Sequence, residues 1–105
     1  MIELTFSKPS QIGEVKVVLR IIRHILYFKY TSSKEMEQMI RQFALKGVKF
    51  RKSNNWLEVD LFRDNTIGKF GDYEIDLEED DADKIERKLA EFYTVQYIKM
   101  GFKLE

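Results

Sequence analysis

The sequence predicts an α+β domain: an antiparallel meander sheet covered on one face by helices, in the order β-α-α-β-β-β-α. Three observations predict it. Short segments such as Tyr73-Glu74-Ile75-Asp76-Leu77 alternate apolar and polar residues, the period of a half-buried strand. Longer segments place apolar residues three and four apart, the period of a helix face. No repeat, linker or low-complexity tract divides the 105 residues, a length that suits one domain, 1–105.

In chain order, Ile2, Leu4 and Phe6 alternate with Glu3, Thr5 and Ser7, a first strand. Pro9 follows, and Ser10 can cap a helix. From Gln11 to Phe28 the residues Ile12, Val15, Leu19, Ile22 and Leu26 fall on one helical face. Lys16, Arg20, Arg23, His24 and Tyr27 gather on about a third of the circumference. A helix is therefore expected here. A long strand over Glu14 to Tyr30 is the alternative, because the segment is rich in β-branched residues and Val17, Val18, Ile21 and Ile25 fall off that face. Under the alternative the basic stripe dissolves.

Thr31-Ser32-Ser33 interrupts, and Ser32 with Glu35 has the spacing of a capping box. Met36, Met39, Ile40 and Phe43 mark the face of a second helix, which ends before Gly47. Val48 and Phe50 alternate with Lys49 and Arg51. After a turn at Ser53-Asn54-Asn55, Leu57, Val59 and Leu61 alternate with Trp56, Glu58, Asp60 and Phe62. Asn65 to Gly68 turns again, and Tyr73, Ile75 and Leu77 form the next strand. Asp80 or Asp81 caps the last helix, with Ile85, Leu89 and Phe92 inward. Val95 to Ile98 either continues it or begins a terminal strand before Gly101. The uncovered sheet face is expected to show Lys49 and Arg51, then Glu58 and Asp60, then Glu74 and Asp76, so that basic and acidic strands pair across the ladder.

Composition narrows the chemistry. The chain has no cysteine and one histidine, which removes disulfides, thiol nucleophiles, Cys-ligated metals and two-histidine metal sites. No cofactor and no metal site is expected. The most apolar region, Ile12 to Tyr30, carries Arg20, Arg23, His24 and Lys29, so no membrane span is expected. Without cysteine or a signal-like start, the expected location is cytoplasmic. Scarce alanine beside abundant Lys, Ile, Phe and Tyr is the usage of an AT-rich genome and points to a mobile genetic element, a phage or a bacterium as source.

The charge layout carries most of the functional information. Net charge is zero, yet residues 1–52 hold eleven Lys and Arg against four Asp and Glu, a balance of +7. Residues 53–105 hold seven against fourteen, a balance of −7. Opposed halves can face each other in the fold, serve two kinds of partner, or drive head-to-tail self-association into a homo-oligomer.

Two surfaces follow. Lys16, Arg20, Arg23 and His24, extended by Lys49 and Arg51, would meet phosphates, and Trp56 would stack a base; Tyr27 or Tyr30 could add to it. Asp72, Glu74, Asp76, Glu78, Glu79, Asp80, Asp81 and Asp83 could instead mimic a phosphate backbone. Acids two apart on a strand sit about 7 Å apart, near the phosphate spacing of one DNA strand. The ordinary reading of each is a solvated face.

Other constellations carry less. Gly68 to Gly71 has the GxxG spacing of an RNA-clamping loop but stands beside a strand and is read as a turn. The acidic tract lacks the glycine and closing glutamate of a calcium loop. His24 has no nucleophile or carboxylate fixed beside it by local spacing. The expected element order resembles that of small RelE-type ribonuclease toxins, but in order alone, since the strands here carry Asp60, Asp72, Glu74 and Asp76 where those enzymes are basic. The expectation is a non-enzymatic regulatory module that binds RNA or DNA through its basic half. The alternative is an inhibitor of anti-restriction or anti-CRISPR type, whose acidic tract holds a basic nucleic-acid-binding protein.

Overall fold

The structure is a computed structural model that describes residues 1–11 and 13–105, apart from the side chain of Phe43. The elements are β1 (Ile2–Ser10), β2 (Gly13–Ile22), β3 (Ile25–Tyr30), α1 (Ser33–Leu45), β4 (Lys49–Ser53), β5 (Trp56–Asp60), β6 (Ile67–Phe70), β7 (Tyr73–Asp76), α2 (Ala82–Lys99) and β8 (Lys103–Leu104). Six strands form one antiparallel sheet, ordered β4-β5-β3-β2-β1-β8. β6 and β7 form a separate hairpin. The α+β class, with an antiparallel sheet and helices packed on it, is the one expected.

The segment expected as a helix over 11–28 is corrected to two strands, β2 and β3, the alternative reading. Val15, Val17, Leu19 and Ile21 point into the core, and Lys16, Val18 and Arg20 point away. Beyond the two-residue turn Arg23-His24, the inward residues become Leu26 and Phe28. A two-residue turn pairs Ile22 with Ile25 and so changes inward parity from odd to even. Read straight through, that parity change mimics a spacing of three and four. Five β-branched residues in β2 and one in β3 then settle the competition in favour of strands. The resemblance of order to the ribonuclease toxins goes with the helix. Ile12, part of the expected helical face, lies outside the described residues.

The inward face of the sheet carries Phe6, Val17, Leu19, Ile21, Leu26, Phe28, Leu57 and Val59, all with no exposed surface. Burial of each such side chain contributes about 1.5–3 kcal/mol. α2 covers this face. Tyr97 stacks on Phe6 at 4.7 Å and shares a 2.9 Å hydrogen bond with the Tyr30 hydroxyl. Tyr93 meets Phe28 edge-on. α2 runs through Val95 to Ile98, and Gly101 at φ +92 turns the chain into β8 beside β1. Phe92, expected inward, is only half-buried and packs on Phe70 and Tyr93.

α1 buries Met36 and packs Met39 and Ile40 on the core. The Phe43 side chain lies outside the described residues. Ser32 is the N-cap of α1, but its side chain makes no capping bond. Gly47 takes φ +70 after the helix, the left-handed exit expected.

Three corrections concern the hairpin and the segment that leads into it. Phe62 was expected on the outer face with Trp56, yet it is buried. Asp60 Oδ1 accepts from the amides of Phe62 and Arg63, and this Asx turn folds Phe62 inward against Phe70. Gly68 and Lys69 belong to β6, and only Gly71, at φ +58, is in the turn. Gly68 is there for space: a Cβ would lie 2.8 Å from both Phe62 and Phe70. Glu74 and Asp76 therefore stand on the hairpin and not on the main sheet. Among the described residues no helix is long and apolar enough to cross a membrane.

Candidate nucleic-acid interface

The helices pack on the face that carries the core residues, and among the described residues no element covers the other face of the six-stranded sheet. Pairing register decides what that face displays. Glu3 pairs with Arg20, Arg20 with Tyr27, Tyr27 with Glu58, and Glu58 with Arg51. One row thus crosses five strands and alternates acid, base, phenol, acid, base. Its ends are closed by ion pairs, Arg20 to Glu3 at 2.8 Å and Arg51 to Glu58 at 2.6 Å. In the middle the Tyr27 hydroxyl donates to Glu58 at 3.5 Å. Burial, then the charge and hydrogen bond of Glu58, raise the Tyr27 pKa, while Arg51 opposes them.

Trp56 stands two residues along β5 from this row, on the same face and half-buried. The Arg20 guanidinium lies 4.6 Å from its ring and the Lys29 ammonium 5.7 Å. Both distances are those of cation–π contact. The two-residue turn Asn54-Asn55, with Asn54 at φ +55, joins β4 to β5 and brings Ser53 and Asn54 to the same place. These groups enclose a shallow depression of about 260 Å³. Its sheet side is Arg20, Tyr27, Trp56 and Glu58, and its rim is Arg51, Ser53 and Asn54.

Lys16 and Lys49 extend the same face. Lys16 is bridged to Glu14 at 3.5 Å and Glu105 at 3.4 Å. The Glu105 hydrogen bond and charge, followed by Glu14, raise the Lys16 pKa. Lys49 is exposed and pairs in register with Asp60.

The structure thus gathers Lys16, Arg20, Lys49, Arg51 and Trp56 on one surface and leaves Arg23 and His24 out of it. Those two form the β2–β3 turn at the end of the sheet, Arg23 at φ +52. The Arg23 amide donates to Glu86 at 2.8 Å, its Nη2 to the Leu77 carbonyl at 2.8 Å, and its Nη1 to His24 Nδ1 at 2.9 Å. His24 packs edge-on against Phe62. Burial lowers the His24 pKa; Asp60 offsets part of this and Arg23 adds to it. These residues hold the turn to α2 and to the end of β7. Tyr30 is also off the surface, bound to Tyr97 within the core side.

The acidic tract sits beside the β2–β3 turn, on β7 and the loop into α2. Asp81 caps α2 by accepting from the Lys84 amide at 2.8 Å. Asp80 accepts from the Asp76 amide at 3.0 Å and pairs with Lys84 and Lys88. The Asp76 amide holds the Asp80 pKa below its ordinary value against burial, and Lys88 and Lys84 lower it further. Asp76 Oδ1 accepts from the Glu78 amide. Asp72, Glu74, Glu78, Glu79 and Asp83 are exposed.

The expected pairing of the basic strand with Glu58 and Asp60 is present in the register of β4 and β5, as is the expected turn after Ser53. The carboxylate that sequence reasoning missed is Glu3, which answers Arg20. The signal was present in the alternation of β2, whose outward residues are Lys16, Val18, Arg20 and Ile22. Comparison of the chain with protein-family models, curated proteins and solved structures finds no match. Fold and site therefore stand on their own, as an α+β domain whose open sheet face carries the cationic and aromatic groups.

Proposed function

We propose that the protein is a small regulatory binding module that takes RNA or DNA on the uncovered face of its sheet. The observation that carries this reading is the convergence of Arg20, Arg51 and Trp56 around one depression on that face. Guanidinium groups bond phosphate oxygens in two-pronged geometry, and an indole ring stacks any base. Lys16, Lys29 and Lys49 widen the cationic surface around it. The acidic tract supports the inhibitor reading less well, because Asp76, Asp80 and Asp81 are committed to backbone amides or lysines of their own loop and helix.

The test is fluorescence anisotropy of labelled RNA and DNA oligonucleotides with the purified protein, at low and at physiological salt. Binding is expected at low salt, weakening as salt rises. Arg20→Glu combined with Arg51→Glu is expected to weaken it at least tenfold, as two lost charge-assisted bonds require. Absence of binding by the unmodified protein at low salt overturns the proposal.

A further inference from the structure

The face that bears the depression is not a simple basic surface. By register and position it holds six cations, Lys16, Arg20, Lys29, Lys49, Arg51 and Lys103, beside five carboxylates, Glu3, Glu14, Glu58, Asp60 and Glu105. Lys16, Arg20 and Arg51 already touch carboxylates. A duplex presents about one negative charge per 1.7 Å of its axis, and proteins that follow its backbone bring a surplus of free cations. Here each phosphate that approaches Arg20 or Arg51 meets Glu3 or Glu58 as well. Backbone attraction alone gives little.

What the face does offer is an aromatic ring with the Arg20 guanidinium and the Lys29 ammonium over it. Trp56 and the Arg20 guanidinium border a depression whose rim supplies the Ser53 hydroxyl and the Asn54 amide. Those are groups that bond the edge of a base, and the indole takes its flat face where the Arg20 guanidinium now lies. In a duplex the bases are stacked and paired, and their flat faces are closed to a protein surface. In a single strand they are open.

Building on the nucleic-acid reading, we infer that this depression takes one unpaired base of a single strand. The base takes the place of the Arg20 guanidinium on the Trp56 ring, and its flanking phosphates lie between the displaced Arg20 and Arg51. Affinity then comes mainly from stacking and edge contacts, and about two phosphates are neutralised. For single strands the salt slope is about −0.7 per phosphate, so the expected slope is about −1.4. Glu3 and Glu58 act as resident competitors for the arginines, which penalises ligands that bring phosphate without an open base.

Trp56 is the only tryptophan, so its emission reports on the depression alone. The experiment titrates the intact protein with an unlabelled ten-nucleotide single strand, with the duplex of the same sequence, and with heparin as a polyanion without bases. The single strand is expected to quench Trp56 and to bind at least tenfold more tightly than the duplex, with a shallow salt slope. Trp56→Phe, followed by anisotropy, is expected to keep most of the affinity, and Trp56→Ala to lose about tenfold or more. Equal affinity for duplex and single strand, or heparin binding as tightly as the single strand, overturns this inference while leaving an anion-binding face in place. A slope steeper than about −4 does the same, since it counts six or more phosphates. No binding of any nucleic acid at low salt overturns both readings. The comparison of strands uses the unmodified protein and so does not depend on how the variants fold.

Discussion

The open sheet face and the acidic end of the molecule are both dense in charge, but they spend it differently. On the sheet face, side chains bond side chains: Arg20 to Glu3 and Arg51 to Glu58, all at exposed or half-buried positions. At the acidic end, carboxylates bond backbone: Asp81 to the Lys84 amide, Asp80 to the Asp76 amide and Asp76 to the Glu78 amide. A carboxylate that closes a turn cannot leave without loosening the turn. A carboxylate paired with an exposed guanidinium can be exchanged for a ligand's phosphate at little cost, because exposed pairs contribute only about 0–1 kcal/mol. Charge density alone therefore marks a surface poorly. The kind of partner separates scaffold from interface.

The largest expected effect breaks the acidic end. Phe62→Ala removes a buried ring that packs on Phe70 and His24, and is expected to cost about 3–5 kcal/mol in chemical unfolding. Affinity for a single-stranded oligonucleotide, measured well below the melting temperature, should remain within twofold. A matching loss of affinity would show that the two regions are one unit.

Next is the helix cap. Asp81→Ala is expected to destabilise by about 1 kcal/mol, read by thermal melting, again without effect on binding. Acidity sharpens the same point. Glu86 and Asp80 both hold pKa values below their ordinary 4.5 and 3.8. For Glu86 burial alone would raise the value, but bonds from the N-terminal ammonium and the Arg23 amide outweigh it. Their stabilising contribution is full above those ordinary values and drains as pH falls through the lowered ones. Unfolding followed between about pH 5 and pH 2 should show this loss, and Asp80→Asn should reduce it. A melting temperature flat over that range would remove the claim.

The smallest effect is on the sheet face itself. Glu58→Gln frees Arg51 from its competitor and should tighten single-strand binding about threefold, with stability changed by less than about 1 kcal/mol. Weaker binding would mean that Glu58 contacts the ligand chiefly as an acceptor.

Much of the fold was legible where the alternation ran within one strand. β1, β5 and β7 and the start of α2 follow directly from Ile2-Leu4-Phe6, Leu57-Val59, Tyr73-Ile75 and the acids at 80–81. β2 and β3 were obscured by the Arg23-His24 turn, which lacks the glycine, asparagine or proline that usually marks a hairpin. Its left-handed φ at Arg23 is held by tertiary bonds to Glu86 and Leu77, which no local pattern reveals. The candidate site was legible by residue type but not by grouping. Arg20 and Arg23 share a face of a helix, whereas as strand and turn they separate, and only strand register places Arg51 and Trp56 near Arg20.

That separation gives the most direct measurement. Arg20→Gln and Arg23→Gln are compared side by side for affinity to one labelled single-stranded oligonucleotide at low salt. If the sheet face is the interface, Arg20→Gln weakens binding about tenfold, the worth of a charge-assisted bond, while Arg23→Gln stays within twofold. Equal losses, or a loss confined to Arg23→Gln, would place the interface at the turn and contradict the account.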